Sequence, residues 1–358
     1  MLSTLPPPRS SASPRPLRIG FIPLSDAAPI IVAQEHGFFR RHGLRTELSR
    51  EVGWATIRDK IIYGELDATH ALGAMVISTS LGLNCQPCDC VTAFVMNTNG
   101  NGITLSEDLW QRGVRNSATM RAEIVGSRKE RIYVFGVVFA HSSHRIQICD
   151  WLRSGGVNPE KDVRIVVVPP PQLFRNLLAG TIDGYCVGDP WNSLAVREKA
   201  GWCPAISAEL APGHPEKVFM VRADFAEQHG PEHLALVAAL AEAAALCDDP
   251  AFRPELSRLL ARREYLNVPE RVISSGLVGP FEFGHGRTEA NADFIRFHRE
   301  GANDPSPVKA AWLIEGFRRN GMFASSAPIP DDLGARIFRS DLFHQACHHV
   351  TDHTPTSH

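Results

Sequence analysis

The 358-residue chain has no strong excess of either charge: 37 Lys and Arg stand against 39 Asp and Glu, a formal net charge of −2. A domain that grips a phosphate backbone needs a positive excess to release counterions, so direct nucleic-acid binding is not expected. Apolar runs of about 18 residues, the length that crosses a bilayer, are lacking, and no membrane association is expected. Residues 1–16, MLSTLPPPRSSASPRP, are rich in Pro and Ser and hold no apolar stretch of about 7–15 residues. They read as a disordered N-terminal segment rather than an export signal. The nearby arginine pair, Arg40-Arg41, falls inside the first folded segment, and the first cysteine is Cys85, so neither a twin-arginine signal nor a lipid-bearing cysteine is indicated. A cytoplasmic chain is the expectation. Catalytic signatures are also missing: no G-x-S-x-G elbow, P-loop, dinucleotide fingerprint or HExxH pair occurs. Neither an enzyme nor a cofactor is expected.

What is present suits a folded protein of about two domains, with 44% hydrophobic and 21% charged residues. The eight cysteines would permit four disulfides, but a reducing compartment leaves them as thiols. Cys85, Cys88 and Cys90 form one dense cluster, CQPCDC. Three thiolates beside Asp89 offer zinc chemistry, yet neighbours in a strand point apart and no second ligand pair follows. A loop of free cysteines entering a strand is the preferred reading, with no metal. Residues 341–358, with five histidines, read as a flexible tail.

Strand-like runs alternate with helical patterns. Arg18–Pro23 is a strand candidate; Asp26 then offers an N-cap to an apolar helix that Gly43 stops. Arg45–Arg50, Ala68–Ala71 and Val91–Met96 read as strands, with helices over Trp54–Tyr63 and Ala74–Leu81 between them. The Gly/Asn cluster NTNGNG at 97–102 interrupts the pattern as a turn. A second series follows: strands Ile132–Val138, Val163–Val168 and Gly184–Val187, and helices Ser143–Ser154, Gln172–Ala179 and Pro190–Lys199. Strand Val218–Val221 leads into mainly helical sequence through Arg263. The reading is two α/β units with parallel-type sheets and a helical finish, whose ligands sit beyond the strand ends between the units.

The segments RIGFIPLSDAAPIIVAQEHGFFRRHGL, EVGWATIRDKIIYGELDATHAL, MNTNGNGIT, SGGVNPEKDV, VVPPPQLFRNLLAGTIDGYCVGDPWN and GHPEKVFMVRAD resemble the nitrate- and bicarbonate-binding solute receptors of ABC importers. The resemblance runs in order from about Leu17 to Phe323. It implies a type II periplasmic-binding-protein fold: two α/β lobes on a hinge, with the anion in the cleft. The first lobe would comprise 17–102 and 217–340, and the second 103–216. The character of residues 1–16 selects one subgroup, the cytoplasmic nitrate/nitrite sensors. These resemble the receptors but hold an RNA-binding antiterminator regulator protein until the anion arrives. An importer receptor for nitrate or bicarbonate is the alternative, and a thiamine-pyrimidine synthase type on the same fold is the enzymatic rival.

The resemblance places four residues around the anion: Trp54, Asn101, His144 and Lys217. Nitrate is planar and singly negative, and its burial demands a fixed cation and several donors. Lys217 is the expected charge partner, with a solvated Lys217–Glu216 pair as the plainer alternative; Lys217→Ala is expected to lose binding with the fold retained. His144 opens a helix, where free amides and the dipole favour an anion, and His141 competes for that role. Trp54 offers an indole N–H and a flat ring. Asn101 stands where the nitrate receptors carry Gln, one methylene longer. His70, Gly102 and Asp189 are expected along the cleft. Asp189 replaces the family's usual Glu and reads as an N-cap, because a carboxylate would repel the ligand.

Overall fold

The computed structural model describes residues 15–290, 293–323 and 329–351. Its strands, in chain order, are β1 Leu17–Phe21, β2 Thr46–Arg50, β3 Ala68–Leu72, β4 Cys90–Asn99, β5 Asn101–Ser106, β6 Tyr133–Val137 and β7 Val163–Val167. They continue as β8 Gly184–Gly188, β9 Gly201–Ile206, β10 Pro215–Arg222, β11 Phe281–Gly284, β12 Arg287–Glu289 and β13 Ile295–Arg296. One sheet has the order β13-β4-β10-β3-β1-β2, and a second has the order β7-β6-β8-β5-β9. Helices flank both sheets, as the alternating pattern predicts.

The sheets are mixed rather than parallel throughout. β2, β1 and β3 are mutually parallel, as are β7, β6 and β8. β10 runs antiparallel between β3 and β4, and β5 antiparallel between β8 and β9. These two are the strands that have just arrived from the other sheet; the short edge strand β13 also pairs antiparallel, with β4. A strand entering from the partner lobe comes from the cleft side, so it meets its neighbours head to tail.

The NTNGNG segment is therefore not a loop. β4 runs through Asn99 and β5 begins at Asn101, so the chain changes sheets at Gly100. Asn99 (φ +61°) and Gly100 (φ +94°) are consecutive left-handed residues, and this kink re-aims the chain without a loop. Asn101 and Gly102 already belong to the second sheet, and Pro215 and Glu216 to the first, so the crossings lie about two residues from the expected 102 and 216. The first helix also differs. It ends at Glu35, and Gly37 (φ +71°) starts a separate turn at Phe38–Arg41 before Gly43 is reached.

The lobes pack closely. The β11–β12 hairpin reaches from the first lobe onto the second: the His285 ring stacks on Trp110 at 3.6 Å, and Arg197 pairs with Glu282 at 2.9 Å. On the opposite side the helix Pro307–Arg319 lies against Ser143–Ser154, where a Cβ on Gly316 would stand 2.5 Å from Ile146. Apolar side chains from both lobes form one continuous core, and the second lobe has a further core of its own. The 19-residue helix Gly230–Asp248 is long and apolar enough to cross a membrane by composition alone, but it buries Leu236, Leu240, Ala243 and Cys247 within the first lobe.

Both chain ends correct the sequence expectation where they are described. Arg15 forms an ion pair with Asp67 at 2.7 Å, so order begins before Leu17, while residues 1–14 lie outside the described residues. Residues 340–351 are a helix rather than a flexible tail, with Ala346 buried; residues 352–358 lie outside the description. Gly100→Ala is expected to lower stability by about 1–2 kcal/mol, the cost of a left-handed L-residue. Urea unfolding at neutral pH measures it.

Candidate functional site

Lys217 lies in β10, where the ladder with β4 shifts register between Pro215, Lys217 and Val218. In a regular strand Glu216 and Lys217 would face opposite sides of the sheet. The irregularity instead brings both side chains together at the junction of the lobes, with Nζ of Lys217 2.7 Å from Oε1 of Glu216. Asp26 approaches the same ammonium, Oδ2 to Nζ, at 2.7 Å. Lys217 and Glu216 are 0% exposed and Asp26 is 1% exposed. The pairing with Glu216 is real, but it is a buried pair and not a solvated one.

Both lobes supply the groups around this ammonium. From the first, Trp54 opens the helix Trp54–Ile62 and sets its ring 5.7 Å from the Lys217 ammonium and 5.3 Å from the His70 ring. His70, in β3, approaches Asp26 Oδ1 through Nε2 at 2.9 Å, while its Nδ1 accepts the Ile22 amide. That acceptance puts the ring proton on Nε2, toward the carboxylate. From the second lobe, Asn101 in β5 donates its amide to Glu216 Oε2 at 2.6 Å, and the Ser143 hydroxyl donates to the same oxygen. His144 Nε2 lies 3.4 Å from Glu216 Oε1. Gln147, one turn further along that helix, accepts from Asn101 and contacts His214.

Trp54, Asn101, His144 and Lys217 are thus brought to one buried cluster, and His70 joins it through Asp26. His144 rather than His141 takes this place, since the His141 ring packs against Phe139 and Phe317. Gly102 is a packing position: a Cβ there would stand 3.0 Å from Asn192. Asp189 is at the margin, where its carboxylate accepts from the Ser193 amide and hydroxyl and its carbonyl accepts the Ser25 amide across the lobes. Gly188 beside it lets β8 approach Asp26, because a Cβ would lie 2.9 Å from Oδ2.

Asp26 and Glu216 are the members that sequence reasoning misjudged. Asp26 makes no cap bond and turns inward, although its position before an apolar helix is typical of an N-cap. Gln147 was detectable in principle, since it lies three residues after His144 on a shared helix face, and Ser143 lies four residues before Gln147. His214 carries no local signal.

Burial alone would neutralise these groups, and the charges decide against it. Burial raises the Glu216 carboxyl, but the Lys217 ammonium and the rings of His144 and His214 outweigh it and hold the group well below the usual range. Asp26 is likewise penalised by burial and lowered overall by Lys217 and His70. For Lys217, burial lowers and the two carboxylates raise, with a net upward shift. The ammonium and both carboxylates are therefore charged at neutral pH. Burial drives His144 down to about 4, against the pull of Glu216, so its ring is neutral. The Nδ1 of His144 and the Nε1 of Trp54 are buried with no hydrogen-bond partner among the described residues. Burial raises Asp189 to about 6 despite its bonds to Ser193.

Among the described residues no group of three His, Cys, Asp or Glu side chains is arranged to hold a metal. Cys88 and Cys90 have their sulfurs 3.9 Å apart at the entrance to β4.

Two consequences are measurable. Lys217→Ala would strand two buried carboxylates, so the variant is expected to lose about 3–5 kcal/mol of stability, seen as a lowered melting temperature. For His144, the unfolded ring takes up a proton near pH 6.5 and the folded ring only near 4. Its contribution to stability is complete above pH 6.5 and is lost as pH falls toward 4. Urea unfolding across that range is expected to show a shallower pH slope for His144→Asn than for the wild type. Equal slopes would refute the assignment.

Comparison with known proteins agrees with this architecture. The NMT1-like family matches residues 10–261. The nitrate/nitrite binding protein NrtA of Synechococcus elongatus is 33% identical over 339 residues, covering 92% of this chain and 76% of that protein. The bicarbonate transport ATP-binding protein CmpC of the same species is 36% identical over 340 residues, covering 92% of this chain and 49% of that protein. The chain spans about half the length of the transport ATP-binding relatives it matches. The crystal structure of the periplasmic nitrate-binding protein NrtA from Synechocystis superposes with a TM-score of 0.88 at 29% identity, covering 95% of this chain and 91% of that one. The fold is the two-lobed periplasmic-binding-protein type, and the chain belongs to the NMT1-like family, alongside the nitrate- and bicarbonate-binding receptors.

Proposed function

We propose that this protein is a receptor for nitrate or nitrite, held between the lobes at Lys217, and that it catalyses no reaction. The observation that carries the reading is the buried donor set drawn from both lobes, in which the Trp54 indole and the His144 ring are left without partners. A planar oxyanion accepts hydrogen bonds around its whole edge and suits such a set. Trp54 supplies its N–H and ring face, Asn101 its amide, His144 its imidazole N–H, and Lys217 the charge. Nitrate- and bicarbonate-related relatives support the ligand class.

Bicarbonate is the second reading, and Asp26 and Glu216 favour it. Its O–H is able to donate to a carboxylate, whereas nitrate only accepts.

The finer proposal is a cytoplasmic sensor that grips an RNA-binding antiterminator in its open form and releases it on closure. What supports it is that lobe opening would break contacts such as His285 on Trp110 and so change the surface offered to a partner. The anion shifts the population only by its differential affinity for the two forms. An importer receptor for nitrate or bicarbonate is the alternative.

Thermal unfolding with nitrate, nitrite and bicarbonate is the first test. A true ligand at about 100 times its Kd stabilises by about 2.7 kcal/mol. A shift with bicarbonate and none with nitrate or nitrite would overturn the ligand. Trp54→Phe keeps the ring and loses the donor, and is expected to weaken nitrate binding about tenfold, in line with a hydrogen bond to a charged group. Calorimetry with and without the antiterminator separates the roles: linkage requires the partner to weaken nitrate binding in a sensor, and an unchanged affinity favours the importer receptor.

A further inference from the structure

Two of the donors assigned to the anion, Lys217 and Asn101, are already bonded to a carboxylate of the protein itself, and the neutral His144 ring stands beside it. Glu216 is planar, singly negative and presents two oxygens, like the oxyanions considered above. Its Oε1 faces the Lys217 ammonium at 2.7 Å and His144 Nε2 at 3.4 Å. Its Oε2 accepts from Asn101 Nδ2 at 2.6 Å and from the Ser143 hydroxyl. Three of these four partners belong to the second lobe, while Glu216 extends from β10 of the first. Glu216 is fully buried, so these donors are shared with no solvent.

Charge sharpens the point. One ammonium faces two carboxylates, Asp26 and Glu216, so the cluster is already net negative while its imidazoles are neutral. A further anion added beside an unmoved Glu216 would place like charges on the same donors without water, which is costly. Asp26 does not share this role, because it contacts Lys217 and His70 of its own lobe and none of the second-lobe donors named above.

We propose that Glu216 is a tethered stand-in for the ligand: its carboxylate occupies the oxyanion's place on Lys217, Asn101, Ser143 and His144, and an incoming anion must displace it. The proposal rests on the reading of this site as an oxyanion receptor and adds the residue that sets its threshold. A tethered competitor acts at high effective concentration, so the free anion binds only above a level fixed by the strength of the Glu216 contacts. Acceptor-only anions are opposed most, because they offer nothing to the displaced carboxylate.

The experiment is calorimetric titration of the full chain with sodium nitrate, on the wild type and on Glu216→Gln and Glu216→Ala. Both variants leave Lys217 paired with Asp26, so neither strands the ammonium. Glu216→Gln is expected to bind nitrate at least tenfold more tightly than the wild type, since the amide also offers a donor. A support with a merely structural role would lose affinity on substitution. In Glu216→Ala, sodium acetate is expected to fill the vacated place, raising the melting temperature of the variant but not of the wild type and weakening its apparent nitrate affinity. Wild-type nitrate binding that Glu216→Gln leaves equal or weakens would overturn this proposal alone. So would acetate with no effect on nitrate binding to Glu216→Ala. Absence of nitrate binding in all three proteins would overturn the nitrate reading together with it.

Discussion

The organising constraint is the Lys217 ammonium, withdrawn from water and held between the Asp26 and Glu216 carboxylates. A buried charge without partners is too costly to persist, and a buried pair contributes only where its geometry is met in full. The irregular register of β10, the inward turn of Asp26 and the close approach of Gly188 all serve this geometry. His70, anchored by the Ile22 amide, completes the far side of Asp26.

The same arrangement ties the lobes together. Glu216 is carried by the first sheet and solvated by donors of the second, so its charge replaces water with protein groups that exist in that register only when the lobes meet. The Ser25 amide on the Asp189 carbonyl and the hairpin over Trp110 reinforce the contact at the periphery. On the proposal above, affinity at such a site is a difference between two occupants of one donor set.

Much of the architecture was legible because it depends on local pattern. The helix Ser143–Ser154 was legible at its observed bounds, where the structure shows the Ser142 hydroxyl capping its first turn, and the strand–helix alternation follows from hydrophobic period. The four residues expected around the anion came from the resemblance, and the structure gathers them into one buried cluster. Local pattern failed where one motif serves two ends. Asn-Gly repeats mark turns, yet here two left-handed residues suffice to pass a strand from one sheet to the next. An Asp before an apolar helix marks a cap, yet Asp26 spends its carboxylate on a lysine 191 positions away in the chain. Parallel pairing was assumed from alternation, but the direction of β5 and β10 depends on which lobe the chain has just left.

The sequence by itself determined the strand–helix alternation and the α/β class, because these rest on period and propensity, while the two-lobed type and the residues expected around an oxyanion came from the resemblance to a known family. Only the tertiary structure decided that Asp26 and Glu216 share one ammonium, that His144 and not His141 faces it, and that Glu216 sits among the second lobe's donors. Those outcomes depend on distances between segments far apart in the chain, where burial and electrostatics, not local preference, choose the partner.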